Sequence, residues 1–299
     1  MYRYSDIARE LAANAAMRVP AIKDLRVRKG RTIGFPPDVK AQLVLDQFNF
    51  FVDSIGSDNL PGKIVLEVGP GDAIPLALLF LAAGAKRYLA IDRFLGDVYG
   101  PQALELYCAI VKILPDRLAE GLRRILTESE SIEDLLMSPD RVRLYRTPIE
   151  RPDNTLRAQA DYIVSFNVCE HLADLPQALR GMSSLLSPTG LMIHRVDYGP
   201  HDLWLSSYTN PLAFLTVPRP FWRAMTSNRG CPNRVRHAEL MAMVRALGFD
   251  CRDRIGRRAS GADIVEARPH LSEEFQSMGD DDLSVLDAEI ICSYGETRA

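Results

Sequence analysis

Residues 65–73, Val-Leu-Glu-Val-Gly-Pro-Gly-Asp-Ala, constrain this 299-residue chain more than any other stretch. A β-branched run over 63–68 predicts a short strand, and it delivers the chain directly into a glycine turn. Glycines let the backbone turn tightly and let a ligand approach main-chain N–H groups that a Cβ would block. Pro75 suits the first turn of the helix expected over 75–83, where its missing N–H costs nothing. A second strand is expected over 87–91, and Asp92 follows it, 21 residues beyond Gly71. An acidic side chain at that strand end can accept hydrogen bonds from both hydroxyls of a ribose, so the ligand expected is a nucleoside-containing cofactor. The dinucleotide fingerprint Gly-x-Gly-x-x-Gly fails, because Ile74 occupies its third glycine position.

The rest of the chain extends this strand–helix–strand unit. Residues 93–140 are a long crossover with helices expected over 102–114 and 116–126. Strands recur at 141–145, 162–166 and 191–196, with a helix over 175–186 before the last. That alternation predicts an α/β fold, a doubly wound, mostly parallel sheet covered by helices on both faces. Upstream, a helix over 5–18 is capped by Ser5, residues 19–36 read as a basic linker, and a second helix over 38–55 counts Val39, Leu43, Phe50 and Phe51 among its apolar positions. Downstream, 198–236 is rich in Pro, aromatics and Arg and reads as an excursion above the sheet. A helix over 237–247 follows, and strand-like pieces at 249–254, 264–267 and 288–294 suggest a late antiparallel pair at the sheet edge.

Composition narrows the class. Hydrophobic residues make up 47% and charged residues 25%, which is ordinary globular usage. Thirty-six basic against 39 acidic side chains give a net charge of −3, which argues against general nucleic-acid binding. The longest nearly apolar run, 73–85, is too short to span a bilayer, and Asp6 and Glu10 interrupt what would be a signal peptide. Cys108, Cys169, Cys231, Cys251 and Cys292 never fall in a Cys-x-x-Cys spacing and read as reduced thiols. The expectation is a soluble, cytoplasmic protein.

The acidic-x-Gly-x-Gly pattern of Glu67, Gly69 and Gly71 resembles the first motif of the class I S-adenosylmethionine-dependent methyltransferases, and Asp92 resembles their second. Thr147-Pro148-Ile149-Glu150 falls where that family lines its adenine pocket. The segment 161–172, ending Asn167-Val168-Cys169-Glu170-His171-Leu172, is similar to the family's fourth strand and the Glu-His that opens the next helix. Leu185-Leu186-Ser187-Pro188-Thr189-Gly190 resembles the turn that leads into the strand closing the core. The resemblance covers about residues 60–197 and implies a Rossmann-like seven-stranded sheet with S-adenosylmethionine as cofactor. It further implies that Glu67 orients the glycine loop or the cofactor's amino group, and that Gly69 and Gly71 pass the methionine part. Asp92 would bind the ribose, Arg93 flank the adenine, Ile149 and Glu150 border it, and Asn167 lie near the sulfonium. Glu150 has a second reading as a solvated loop charge.

Methyl transfer from a sulfonium is an in-line displacement that asks the enzyme for alignment and for a proton acceptor at the nucleophile. His201 follows the fifth strand and His171 the fourth, and each is a candidate base, with helix capping or a structural hydrogen bond as the other reading. His194 lies inside a strand and reads as core; His237 starts a helix, and His270 belongs to the tail. Some quinone-precursor O-methyltransferases hold a metal through acidic residues and the Glu-His pair. Here Asn167 stands at the earlier acidic position, so no metal is expected. Ser165-Phe166-Asn167-Val168 lacks the Pro-Pro-aromatic tetrad of base amine methylases, which leaves a hydroxyl as the leading acceptor.

Arg219, Arg223, Arg229, Arg234 and Arg236 fall within 18 residues that hold no acid and include Trp222. Arginine forks suit phosphate or carboxylate, and Trp222 can stack on a ring, so Arg234, Arg236 and Trp222 are expected to meet an anionic or glycosylated acceptor. The other reading is a surface loop paired with the acidic tail. Asn233-Arg234-Val235-Arg236 is also similar to a pattern in bacterial methyltransferases of sugars and other secondary metabolites. The organisation expected is a helical arm or lid over 1–60 and a methyltransferase domain over 61–299, with 198–245 as a substrate cap. The function expected is O-methylation of a small molecule of the sugar or secondary-metabolite kind. N- or C-methylation of a small molecule or RNA nucleoside is the alternative, and a non-catalytic binding module the next. The N-terminal helix can pair with a second copy or fold back over the cleft.

Overall fold

The computed structural model describes residues 2–19, 21–22, 35–129, 131–201, 208–227 and 232–295. Most of the linker expected over 19–36 lies outside them, as do Cys231 and Arg229 of the arginine cluster.

Seven strands form one sheet: β1 (Ile64–Val68), β2 (Arg87–Ile91), β3 (Val142–Tyr145), β4 (Ala160–Phe166), β5 (Leu186–Asp197), β6 (Phe249–Ile255) and β7 (Asp287–Tyr294). Their order is β3-β2-β1-β4-β5-β7-β6. The first five pair in parallel, and β7 runs antiparallel to both β5 and β6. The antiparallel pair is therefore present with the reversed strand one place in from the edge, where β6 closes the sheet. The order reverses direction between β1 and β4, and in such sheets ligands settle at the carboxyl ends of the strands beside that switch.

Successive residues of a strand point to opposite faces, and the two cores show it. Val65, Tyr88, Ala90, Tyr162 and Val164 face one core, with α2 (Pro37–Ile55), α3 (Pro75–Ala82), α4 (Pro101–Lys112) and α5 (Asp116–Leu126) packed over them. Leu66, Leu89, Ile91 and Ile163 face the other, under α7 (Leu175–Leu185) and α9 (His237–Ala246). The short α6 (Ile132–Met137), capped by Ser131, lies in the crossover from β2 to β3 and buries Leu135 and Leu136 in the first core. Helix α3 is buried nearly all round, and a Cβ at Gly121 of α5 would stand 1.9 Å from the Ala82 carbonyl, so only glycine lets the two helices cross this closely. Truncating Phe80 at the centre would cost about 3–5 kcal/mol.

Helix α2 buries Ala41, Val44, Leu45, Phe48, Phe51 and Ile55, a helical face. Val39 and Leu43, expected among its apolar positions, lie on the other face and are exposed. Since α2 belongs to the sheet's core, residues 37–55 are not part of a separate arm. Helix α1 (Tyr4–Ala16) goes elsewhere: Asn14 donates to the Ala224 carbonyl on α8 (Arg219–Thr226) at 2.8 Å, and the Tyr208 hydroxyl donates to Asp6 at 2.6 Å. Ile7, Leu212, Phe214, Leu215, Trp222, Met225, Ile264, Phe275 and Leu283 form a third apolar cluster. The unit built on this cluster, called the cap below, takes in α1, residues 208–227 and 259–286, whereas α9, within the 198–245 segment expected as a cap, covers the sheet. Residues expected as a strand at 264–267 are helical, in α10 (Gly261–Ala267): Ser260 accepts from the Asp263 N–H, and Asp263 accepts from the Ser260 N–H, a capping box. Two further turns of helix, α11 (Glu273–Gln276) and α12 (Asp280–Ser284), complete the cap. Among the described residues no helix is long and apolar enough to cross a membrane.

Candidate active site

Gly69 and Gly71 sit at φ +75° and +77°, in the left-handed region that favours glycine. The Gly69 N–H donates to the Ile91 carbonyl at 2.9 Å, which fastens the loop to the end of β2. A Cβ on Gly69 would stand 2.7 Å from both Val168 methyls, so the loop lies directly against the segment that follows β4. A Cβ on Gly71 would meet nothing within 4 Å. That open side of the loop lets a ligand come close to the main chain. The Gly71 N–H donates to Asp92 Oδ2 at 3.0 Å and the Phe94 N–H to Oδ1 at 2.6 Å, fixing a half-buried carboxylate. Each oxygen keeps lone-pair capacity, which suits two ribose hydroxyls.

Glu67 is buried and accepts a hydrogen bond from the Tyr88 hydroxyl, a partner hidden in β2 that sequence reading missed. Burial, with a smaller push from the charge of Asp92, raises its carboxyl to about 8. Arg93 is exposed with its guanidinium 5.2 Å from the Phe94 ring centre. Ile149 is buried in the second core, and its carbonyl abuts Gly181 of α7, where any Cβ would collide at 1.9 Å. Glu150 next to it is half-buried, and its carbonyl accepts from Gln177 at 3.2 Å.

The other half of the site forms where β4 and β5 end. Asn167 takes φ +55°, and its N–H donates to the Arg195 carbonyl at 2.9 Å. A tight turn, Cys169–His171, follows. Glu170 is buried there: Oε1 accepts from the Asp197 N–H at 3.3 Å, and Oε2 has no hydrogen-bond partner among the described residues. Burial raises this carboxyl too, to about 8. His201 takes φ +52°, which carries its ring back over the end of β5. Its Nε2 lies 3.5 Å from Glu170 Oε1, 3.9 Å from Asp197 Oδ1 and 3.2 Å from the Asp197 carbonyl oxygen. The rings of His171 and His201 meet edge-to-face, 4.7 Å between centres. The fold therefore brings the two histidines ranked as bases into contact, around a carboxylate.

His194 is core, as expected: its Nδ1 faces the Ser165 hydroxyl at 2.7 Å, and burial lowers its pKa to about 4. His237 begins α9 and pairs with Asp253 at 2.8 Å.

The expected acceptor contacts of Arg234, Arg236 and Trp222 are corrected. Arg236 is 0% exposed, and its guanidinium donates to the carbonyls of Tyr198 at 2.8 Å, Leu283 at 3.0 Å and Val285 at 2.6 Å. Arg234 donates to the carbonyls of Val217 at 2.6 Å and Phe214 at 3.3 Å, pairs with Glu274 and lies over the Trp222 ring. Trp222 is itself buried, with Nε1 donating to the Pro232 carbonyl at 3.0 Å. Burial lowers both guanidinium pKa values to about 10. All three side chains are buried and turned to contacts within the protein; the Arg236 Nε has no hydrogen-bond partner among the described residues, yet it is as hidden from solvent as the rest of the side chain. Arg219, on the cap surface, lies 3.6 Å from Glu274, and Arg223 is exposed.

Asn233, beside them, is the positioning residue that sequence reading passed over. Its N–H donates to the Glu170 carbonyl at 2.6 Å, and its side-chain amide donates to the carbonyls of Cys169 at 2.9 Å and Leu172 at 3.0 Å. The Glu170–His171 turn is thereby clamped from the far side of the cap. Asp197, four residues before His201, is the second such residue; that spacing was its only signal in the sequence.

A family model described as a methyltransferase domain matches residues 41–253. No curated protein matches the chain. Among solved structures, the chain is similar to the YcgJ protein from Bacillus subtilis, at 14% identity over 84% of this chain and 99% of that one, with a TM-score of 0.43. It is similar to a proposed S-adenosylmethionine-dependent methyltransferase from Listeria monocytogenes, also at 14% identity, over 84% of this chain and 100% of that one, with a TM-score of 0.46. A third, an S-adenosylmethionine-dependent methyltransferase from Mesorhizobium loti, is 14% identical over 78% of this chain and 91% of that one, with a TM-score of 0.41.

Proposed function

The chain belongs to the methyltransferase-domain family, with S-adenosylmethionine as cofactor, and from that premise we propose that it methylates a hydroxyl of a small organic acceptor. The observation that supports this most is the contact between the two halves of the site. Gly69 lies against Val168, two residues before Glu170, so the loop offered to the cofactor and the Glu170–His171–His201 cluster are neighbours at the carboxyl ends of the strands. A carboxylate and two imidazoles are groups that loosen a hydroxyl proton.

Bound at the loop, S-adenosylmethionine supplies a methyl group on a positively charged sulfur. Asp92, fixed by the Gly71 and Phe94 N–H groups, holds the ribose, and Glu67 stiffens the strand end beneath the loop. Asn167 borders the reacting end, and Arg93, Ile149 and Glu150 surround the adenine side. The acceptor enters beside His171 and His201. His201 or His171 would take the proton of its hydroxyl, and the two rings would hold the oxygen toward the methyl group that the cofactor supplies. With Arg234 and Arg236 buried and donating to main-chain carbonyls, the acceptor favoured is an uncharged, hydroxyl-bearing molecule such as a sugar or other secondary metabolite. Free thiols at Cys108, Cys169, Cys251 and Cys292 suit the reducing cytoplasm, where we place the protein.

Calorimetric titration with S-adenosylhomocysteine, with NAD run beside it, tests the cofactor half. Micromolar binding of the first and none of the second is expected, and Asp92→Ala should weaken it by about 1.5–3 kcal/mol, the worth of hydrogen bonds to a charged group. Turnover with carbon-13 methyl-labelled cofactor over a panel of hydroxylated and amino metabolites tests the acceptor half. A labelled methoxy carbon is the expected product; an N-methyl or C-methyl signal overturns the hydroxyl reading.

A further inference from the structure

Three side chains of metal-ligating type converge at the ends of β4 and β5. Glu170, His171 and His201 each bring one donor atom to within 4.8 Å of the other two. Donor atoms that share one ion at about 2.0–2.2 Å stand roughly 3–3.5 Å apart. Glu170 Oε1 and His201 Nε2, 3.5 Å apart, already have that spacing, and His171 brings its donor atom to within 4.8 Å of those of the other two.

Two further features point the same way. Glu170 is 4% exposed, yet its Oε2 has no hydrogen-bond partner among the described residues, and a buried carboxylate oxygen in that state calls for a cation or a proton. His201, whose ring faces Glu170, takes φ +52°, a conformation that side-chain-bearing residues seldom adopt and that clusters at functional sites.

We propose that Glu170, His171 and His201 form a site for a divalent transition-metal ion that takes the acceptor's oxygen as a further ligand. Two imidazoles and one carboxylate suit Mn²⁺, Fe²⁺, Co²⁺ or Zn²⁺, whereas Mg²⁺ and Ca²⁺ prefer all-oxygen shells. Three protein ligands leave coordination positions open, as catalytic sites do. The expectation of no metal rested on Asn167 at an acidic position; the fold supplies His201 from the end of β5 instead.

The ion's role rests on the methyl-transfer reading. A hydroxyl bound to the ion releases its proton to water near neutral pH, because the bound charge stabilises the oxyanion. The oxygen lone pair then forms a bond to the methyl carbon, and the carbon–sulfur bond breaks with its electron pair going to sulfur. An ether and S-adenosylhomocysteine result, the ion keeps its oxidation state, and no oxidant or reductant enters. The two imidazoles serve as ligands, and the ion does the work that a free imidazole base would do.

Untagged protein stripped with chelator is titrated with Co²⁺ in a calorimeter and followed by visible absorption, with S-adenosylhomocysteine titrated in parallel. One equivalent of Co²⁺ is expected, with a d–d spectrum. Glu170→Gln and His201→Ala should each weaken it at least tenfold while S-adenosylhomocysteine affinity stays within threefold. If Glu170→Gln does not fold, His201→Ala decides alone, since its ring lies outside both sheet cores. Absence of stoichiometric binding, or equal Co²⁺ affinity in parent and His201→Ala, overturns the metal site and leaves the cluster sharing a proton. Loss of S-adenosylhomocysteine binding in the parent overturns the methyl-transfer reading instead, whatever Co²⁺ does.

Discussion

The two halves of the candidate site are built by different means. Around Gly69, Gly71 and Asp92 the main chain does the positioning: two glycines at positive φ, and a carboxylate held by two backbone N–H groups, all within one strand–helix–strand unit. Around Glu170 and His201 side chains do it. Asn233, Arg234 and Arg236, far along the chain, reach back to carbonyls that hold the turn and the cap in place. A backbone-built site is sensitive to an added Cβ and indifferent to distant polar changes, whereas a side-chain-built site has the opposite weakness.

The largest effect should come from Arg236→Ala. It leaves the carbonyls of Tyr198, Leu283 and Val285 without their donors and opens a void in a position that is 0% exposed. A loss of about 3–5 kcal/mol is expected in urea unfolding at neutral pH, from unmet polar groups and cavity together. Arg236→Lys should recover little, since an ammonium cannot span three carbonyls as a planar fork does. A near-neutral Arg236→Ala would mean that the cap is held by its apolar cluster alone.

Gly69→Ala attacks the other half. The left-handed conformation costs an alanine about 1–2 kcal/mol, and contact with Val168 at 2.7 Å adds overpacking of similar size. About 3 kcal/mol of stability should go, along with S-adenosylhomocysteine binding. Gly69→Ala combined with Val168→Ala should return the part due to contact and keep the part due to φ. Full recovery in the double variant would show that backbone conformation contributes nothing there.

This division explains what the sequence disclosed. The half proposed for the cofactor was legible because its elements are local: Glu67 to Asp92 is one supersecondary unit, and glycine carries the signature of positive φ. The alternation of strands and helices gave the sheet for the same reason. Long-range choices were hidden. Arg234 and Arg236 look identical in sequence whether they face solvent, an anion or buried carbonyls, and only the cap's backbone decides. Nothing local marks Asn233 as the partner of a turn 64 residues away. The exposed Val39 and Leu43 misled the reading of α2 because both of its faces carry apolar residues. Helix α10 was legible after all, since Ser260-x-x-Asp263 is a capping signature that outweighs its short β-branched run.

Glu67 separates the halves by pH. Its carboxyl is raised to about 8 by burial, so folding favours the neutral form. The associated stability is complete below the unfolded value near 4.5 and is lost as pH rises through about 8. Between pH 6 and pH 9 the parent should lose about 2–3 kcal/mol from this group. Glu67→Gln keeps an acceptor for the Tyr88 hydroxyl without a titrating proton, so it should escape that loss. The check is the difference between parent and Glu67→Gln unfolding free energies at the two pH values. Parallel pH profiles would show that Glu67 is ionised in the folded protein.

The smallest expected effect is the most informative. Asn233→Ala removes the side-chain donors to the Cys169 and Leu172 carbonyls but leaves its own N–H on the Glu170 carbonyl. About 1–2 kcal/mol of stability is expected to go. Because the turn carries Glu170 and His171, kcat should fall while S-adenosylhomocysteine affinity holds. Asn233→Asp should be worse than Ala, for it sets a carboxylate against two carbonyl oxygens with no donor between them. A general loss of structure would lower affinity and turnover together, so the split identifies positioning. An Asn233→Asp variant with the turnover of its parent would mean that the turn keeps its own shape, and the half proposed for the acceptor would then be backbone-built like the other.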